Sequence, residues 1–134
     1  MKLELIEESY DENWDCRIYE YKSDKEVSFD TVNEFLPVLT SSGVIIRKMK
    51  INDSADIGEH RPDLDFFSLE DYRKFVDSGN VNFAVDGCMV IGKSDETSVT
   101  CNFDFFNQRV LMGYVREKDK SLNAGIVEKI GQKN

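Results

Sequence analysis

The residue types best suited to chemistry crowd into one irregular stretch. His60, the only histidine, stands between Glu59 and Arg61, with Asp56, Asp63 and Asp65 close by in the chain. Carboxylates and an imidazole at that density suit a hard divalent cation held on oxygen ligands. The spacing matches no metal-binding motif, however. The plainer reading is a solvated loop histidine beside the turn residues around Pro62. Asp56, Glu59, His60, Asp63 and Asp65 are therefore kept as loop candidates, and no metal or cofactor is expected.

Nucleophilic catalysis would need Cys16, Cys88 or Cys101 beside His60, with an acid to orient the imidazole. Cys88 and Cys101 fall in apolar, strand-like runs where thiols are inert. The expectation is two buried free thiols, with Cys16 near the surface. No nucleophile elbow, phosphate-binding loop or dinucleotide fingerprint occurs. Pairs of carboxylates are so abundant that their presence says nothing about glycosidase-type chemistry. The chain carries no family motif from which roles could be transferred. No catalytic residue is assigned, and the sequence reads as a binding protein rather than an enzyme.

The most distinctive stretch is acidic and aromatic. Between Glu7 and Asp15, five acids surround Tyr10 and Trp14, and Tyr19 and Tyr21 follow. Interfaces concentrate energy in Trp and Tyr anchors, while rim charges set the on-rate and the choice of partner. The candidate contact residues are Tyr10, Asp11, Glu12, Trp14, Asp15, Tyr19 and Tyr21. The competing reading places Trp14 and some of the tyrosines in the core, with the acids as a solvated face.

Charge supports a search for a cationic partner. The 134-residue chain has a net charge of −9, and residues 1–34 hold four cations against eleven acids, which leaves the remaining hundred residues near balance. Nucleic-acid binding requires a basic footprint, so it is not expected, and neither is an anionic membrane surface. Met1–Glu8 has no apolar core of the secretory type. No apolar run approaches the length of a membrane span. With three widely spaced cysteines, this reads as a cytoplasmic protein.

The length fits a single domain, 1–134, able to bury its own core without staples. The expected fold is α+β: an antiparallel sheet, with a C-terminal meander over about 81–116, and two or three helices packed on one face. Val81, Phe83 and Val85 alternate with polar residues. Asp86-Gly87 then reads as a two-residue hairpin turn, the rival being one long strand with a bulge at Gly87. Cys88–Ile91, Val99–Phe105 and Val110–Val115 supply the later strands, with Gly113 as a bulge or close-packing point. Lys2–Ile6, Arg17–Lys22 and Val44–Ile51 read as further strands.

The helices are expected over Ser28–Ser42, over Leu69–Val76 behind a Ser68 cap, and from Ser121 to Gly131. Thr31 and Glu34 have the spacing of a capping box. Pro37 implies that the first helix begins near Asn33 or kinks. The irregular Asn52–Phe67 stretch is long for a compact domain, and such loops are often functional.

Together these features suit a small acidic inhibitor of the immunity or antitoxin type, occluding the active site of a basic toxin such as a nuclease. One alternative is a small-molecule-binding or enzymatic domain with its pocket between the sheet and the helix of Leu69–Val76. The other is a structural or homo-oligomeric subunit joined through a strand edge.

Overall fold

The computed structural model describes residues 1–55 and 61–132. Seven antiparallel strands form one sheet: β1 (Leu3–Asp11), β2 (Cys16–Ser23), β3 (Ile45–Asp53), β4 (Asp65–Phe66), β5 (Val85–Ser94), β6 (Thr97–Asp104) and β7 (Arg109–Val115). Their order across the sheet is β1-β2-β7-β6-β5-β3-β4. The meander β5–β6–β7 lies in the middle, flanked by the β1–β2 hairpin on one side and by β3–β4 on the other. Helices α1 (Phe29–Ser41), α2 (Leu69–Asp77) and α3 (Lys120–Gln132) complete the α+β fold. Among the described residues, no helix is long and apolar enough to cross a membrane.

The alternation of side chains assigns the two faces. Tyr19, Tyr21, Val110, Met112, Val99, Cys101, Phe103, Cys88, Val90, Met49 and Ile51 are buried and belong to a single core cluster with the helices. Phe35 of α1 meets Phe103 edge-on at 5.0 Å, and Phe66 and Phe75 pack at 5.1 Å beneath α2. The residues between them in sequence form the other face. Ile18, Leu111, Asn102, Thr100, Met89 and Ile91 are only half-buried there.

Several local expectations are corrected. Asp86-Gly87 is not a hairpin turn: β5 runs through both residues, and the register slips between Asn52 and Asp53 opposite them. This is the bulged-strand alternative, begun at Val85 rather than Val81. The glycine is needed because a Cβ at position 87 would lie 2.7 Å from the Phe103 carbonyl oxygen. The real turn is Asp95-Glu96, with Asp95 at φ 51, so β5 runs three residues past the expected strand end at Ile91. The meander has three strands.

Pro37 sits inside α1, which begins at Phe29. Ser28 caps it, in a reciprocal box with Thr31 rather than one between Thr31 and Glu34. Pro37 and Asn33 are both exposed, so the carbonyl that the proline leaves without an amide faces water. Ser68 caps α2 as expected, and Gly79 ends it at φ 75. The last helix starts at Lys120, after a 3-10 turn over Glu117–Asp119, one residue before the expected Ser121. All three cysteines are buried and free, Cys16 included.

Candidate functional site

The acidic-aromatic stretch folds into the β1–β2 hairpin at one edge of the sheet. β1 pairs only with β2, from Leu3↔Ser23 to Asp11↔Cys16, with Ile6 bulged out of register. Every residue from Glu4 to Tyr10 is exposed. A long exposed edge invites pairing with foreign strands, and charged residues and bulges are the usual guards. Glu4, Glu7 and Glu8 and the Ile6 bulge provide both.

At the tip, Asp15 adopts φ 48, the left-handed conformation that Asp tolerates in tight turns. The Asp11 carboxylate accepts from the Asn13 amide at 3.0 Å and sets the start of the turn. Trp14 is thrust outward and is 72% exposed; Tyr10 is 53% exposed. The Tyr10 hydroxyl donates to Asp15, a bond that raises its pKa above the usual phenol value. Arg17 lies 5.2 Å from the Tyr10 ring centroid and pairs with Glu8 at 3.3 Å. Among the described residues, Glu4, Glu7 and Glu12 have no ion-pair partner. The hairpin therefore presents two aromatic rings in a net negative field, with Arg17 offsetting part of it at Tyr10.

Tyr19 and Tyr21 do not belong to this surface. They are buried on the helix-covered face, and burial is the main cause of their raised phenol pKa values. The candidate contact set is narrowed to Tyr10, Asp11, Glu12, Trp14 and Asp15. Glu12 and Asp15 are exposed with the two rings, and Asp11 is half-buried at the start of the turn; the tyrosines of β2 have the opposite parity and face the helices.

The loop candidates separate. Asp56, Glu59 and His60 lie outside the described residues. Arg61 bridges Asp53 and Asp63, each at 2.6 Å, and that pairing lowers the Asp63 pKa. Asp65 pairs with Lys48 at 3.7 Å. Among the described residues, no group of three His, Cys, Asp or Glu side chains could hold a metal ion. The space between sheet and α2, where an alternative pocket was expected, is filled by Phe66, Tyr72 and Phe75.

Two depressions lie instead on the open sheet face, at opposite ends of the central strands. One, of about 620 Å³, is polar: Asn52, Asp86, Asn102 and Asp104 line it, with Phe106 and Leu111 at its side. Asp104 is committed to the next turn, accepting from the Phe106 and Asn107 amides at 3.1 and 2.9 Å. The other, of about 600 Å³, is bounded by Trp14 and Cys16 of the hairpin, Ile91 and Lys93 of β5, Thr100 of β6, and Tyr114 and Arg116.

Tyr114 holds a strained position. It sits at φ 54 one residue before the end of β7, where an L-residue with a large side chain costs on the order of 1–2 kcal/mol. Opposite it the β2–β7 register slips between Arg17 and Tyr19, so Gly113 and Tyr114 together face Ile18. This is the bulge signalled by Gly113. The extra residue reverses the alternation: Tyr114 points outward, 54% exposed, while Val115 turns back into the core. Arg116 then ties the strand end down, bonding Asp119 at 3.1 Å and the Glu96 carbonyl at 2.9 Å.

Comparison with protein-family models, with curated proteins and with solved structures finds no match for this chain.

Proposed function

We propose that this protein is a stoichiometric inhibitor of the immunity or antitoxin type, and that its β1–β2 hairpin enters the active site of a basic toxin, a nuclease being the concrete case. The observation that carries this reading is the exposure of Tyr10 and Trp14 beside Glu7 and Glu12, acids with no ion-pair partner among the described residues. Carboxylates on a protruding hairpin can occupy the positions that substrate phosphates take in a cationic active site. They also steer encounter from a distance, an effect that weakens as salt rises. The two rings supply the apolar contact that charge alone lacks.

The absence of a catalytic role follows the same logic, since the acids serve as a decoy rather than as a base. Three buried, unpaired cysteines fit a reducing compartment, which makes the cytoplasm the proposed location. A hairpin of this sign repels nucleic acid and anionic lipid.

The test uses two variants as affinity baits beside the wild-type chain: Glu7→Gln/Glu12→Gln/Asp15→Asn and Trp14→Ala. The expected partner is a basic protein whose activity falls to zero at one equivalent of wild-type chain. The charge variant associates about tenfold more slowly at low salt and loses its salt dependence. The Trp14 variant dissociates at least about tenfold faster. An acidic partner, or a partner still fully active when saturated, refutes the inhibitor reading.

A further inference from the structure

We infer that the depression between the β1–β2 turn and the β7 bulge is the anchor pocket of this interface, and that it receives one apolar side chain carried on a basic segment of the partner. The inference deepens the reading above and depends on it for the sign of the partner. Three independent features converge here. The first is the hollow itself, about 600 Å³, with Ile91 and Thr100 at its floor and nothing packed over it among the described residues.

The second is its walls. Trp14 from one edge hairpin and Tyr114 from a different strand are both exposed large side chains, and both border the same hollow. A pocket between aromatic walls, set within a polar rim, is the arrangement in which binding energy concentrates.

The third is the strain at Tyr114. The neighbouring Gly113 could take the left-handed conformation without penalty, yet the chain places the tyrosine there and keeps Gly113 out of it. Nothing in the core requires this side chain, which is more than half exposed. Strain of this kind persists where surrounding structure holds a residue for a task, and bulges are a standard means of re-aiming a side chain.

The occupant is fixed by charge. Glu96 lines the hollow, Asp15 stands between Trp14 and Cys16 in the chain, and Asp11 is the cross-strand partner of Cys16, so that Asp11 and Asp15 act electrostatically on that thiol. Against them stand Lys93 and Arg116, and Arg116 is already paired with Asp119. A cationic segment bearing one aliphatic or aromatic residue fits this balance. Sequence reasoning missed the pocket because Tyr114 falls in a strand assigned to the platform, where strict alternation puts it on the core side, and Lys93 lies beyond the expected end of its strand at Ile91.

Trp14 is the only tryptophan, so its fluorescence reports on the pocket directly. The probes are capped pentapeptides with a central phenylalanine flanked by lysines, the same peptide with alanine at the centre, and the phenylalanine peptide with glutamates as flanks. The phenylalanine–lysine peptide should give a saturable blue shift, with an affinity at least about tenfold above that of the alanine peptide. Tyr114→Asn should weaken that peptide about tenfold while keeping or raising the melting temperature, because asparagine tolerates the left-handed backbone. Tyr114→Phe should bind as the wild type does.

Equal binding of the alanine and phenylalanine peptides overturns the anchor and leaves the acidic decoy standing. Preference for the glutamate-flanked peptide keeps the pocket and overturns the basic partner. No saturable shift at millimolar peptide, or unchanged affinity in a folded Tyr114→Asn protein, removes the pocket from the interface.

Discussion

Gly87 offers the sharpest check on how this sheet is built. Its sequence context, Asp-Gly between apolar runs, is that of a hairpin turn, where the glycine serves a positive φ. In the structure it has no positive φ and pairs with both Asn52 and Asp104. What makes it glycine is space: a Cβ would meet the Phe103 carbonyl oxygen at 2.7 Å and the Asn52 side-chain nitrogen at 3.4 Å. An ordinary carbon–oxygen contact is several tenths of an ångström longer, and the obstacle is paired backbone that cannot swing aside. Forcing such a shift costs about 1–3 kcal/mol. The smaller entropy of the unfolded alanine chain returns about 0.4–1 kcal/mol. Gly87→Ala should therefore destabilise by about 1–2 kcal/mol, and Gly87→Asn, with three further atoms, by more. At a urea dependence of about 1.5–2 kcal/mol/M for a domain of this size, the alanine midpoint falls by roughly 0.5–1.3 M. A turn reverses the ranking, because asparagine accepts positive φ better than alanine does. Urea denaturation of both variants settles the point, and a Gly87→Asn protein more stable than Gly87→Ala refutes the close-approach argument.

Two further expectations follow from buried groups. The Tyr72 hydroxyl is buried and has no hydrogen-bond partner among the described residues, so Tyr72→Phe should stabilise by about 1 kcal/mol and raise the melting point by roughly 3 °C; a loss of stability in calorimetry would reveal a partner. Burial pushes the Cys88 and Cys101 thiols up to about 12 from an unfolded value near 9. Between those values the folded state keeps protons that the unfolded chain releases, so stability is intact below pH 9. It falls as pH rises from 9 toward 12, at up to about 1.4 kcal/mol per pH unit for each thiol. Denaturation midpoints at pH 8, 9 and 10 measure the slope, and a flat profile contradicts it. The same burial predicts that a disulfide-exchange reagent labels no cysteine rapidly in the native protein and all three in denaturant.

Where one element governs its own environment, the sequence was legible. Val99, Cys101 and Phe103 alternate without interruption and form β6 as expected. Ser68, the stripe of Leu69, Tyr72, Phe75 and Val76, and Gly79 define α2 completely. The errors arise where a second element decides. Asp86-Gly87 could not reveal the Phe103 carbonyl beside it. Tyr19 and Tyr21 alternate as any half-buried strand does, and period alone does not say which parity the helices cover. Pro37 argued for a late helix start, but the Ser28–Thr31 box and the solvent-facing position of Pro37 let the helix run through it.

Tyr114 shows why the hollow on the open face was harder to see than the hairpin beside it. From the buried Val110 and Met112, strict alternation assigns Tyr114 to the core. One bulged residue inverts that assignment, and Gly113 is the only local sign of it. The turn at Trp14 is a second interruption, marked by the positive φ of Asp15. Both exposed rings thus stand where the regularity of the sheet fails. A regular strand satisfies its own burial pattern and leaves little to spare for a partner. A turn or a bulge releases a side chain from that pattern, and in this protein the two interruptions border the same depression.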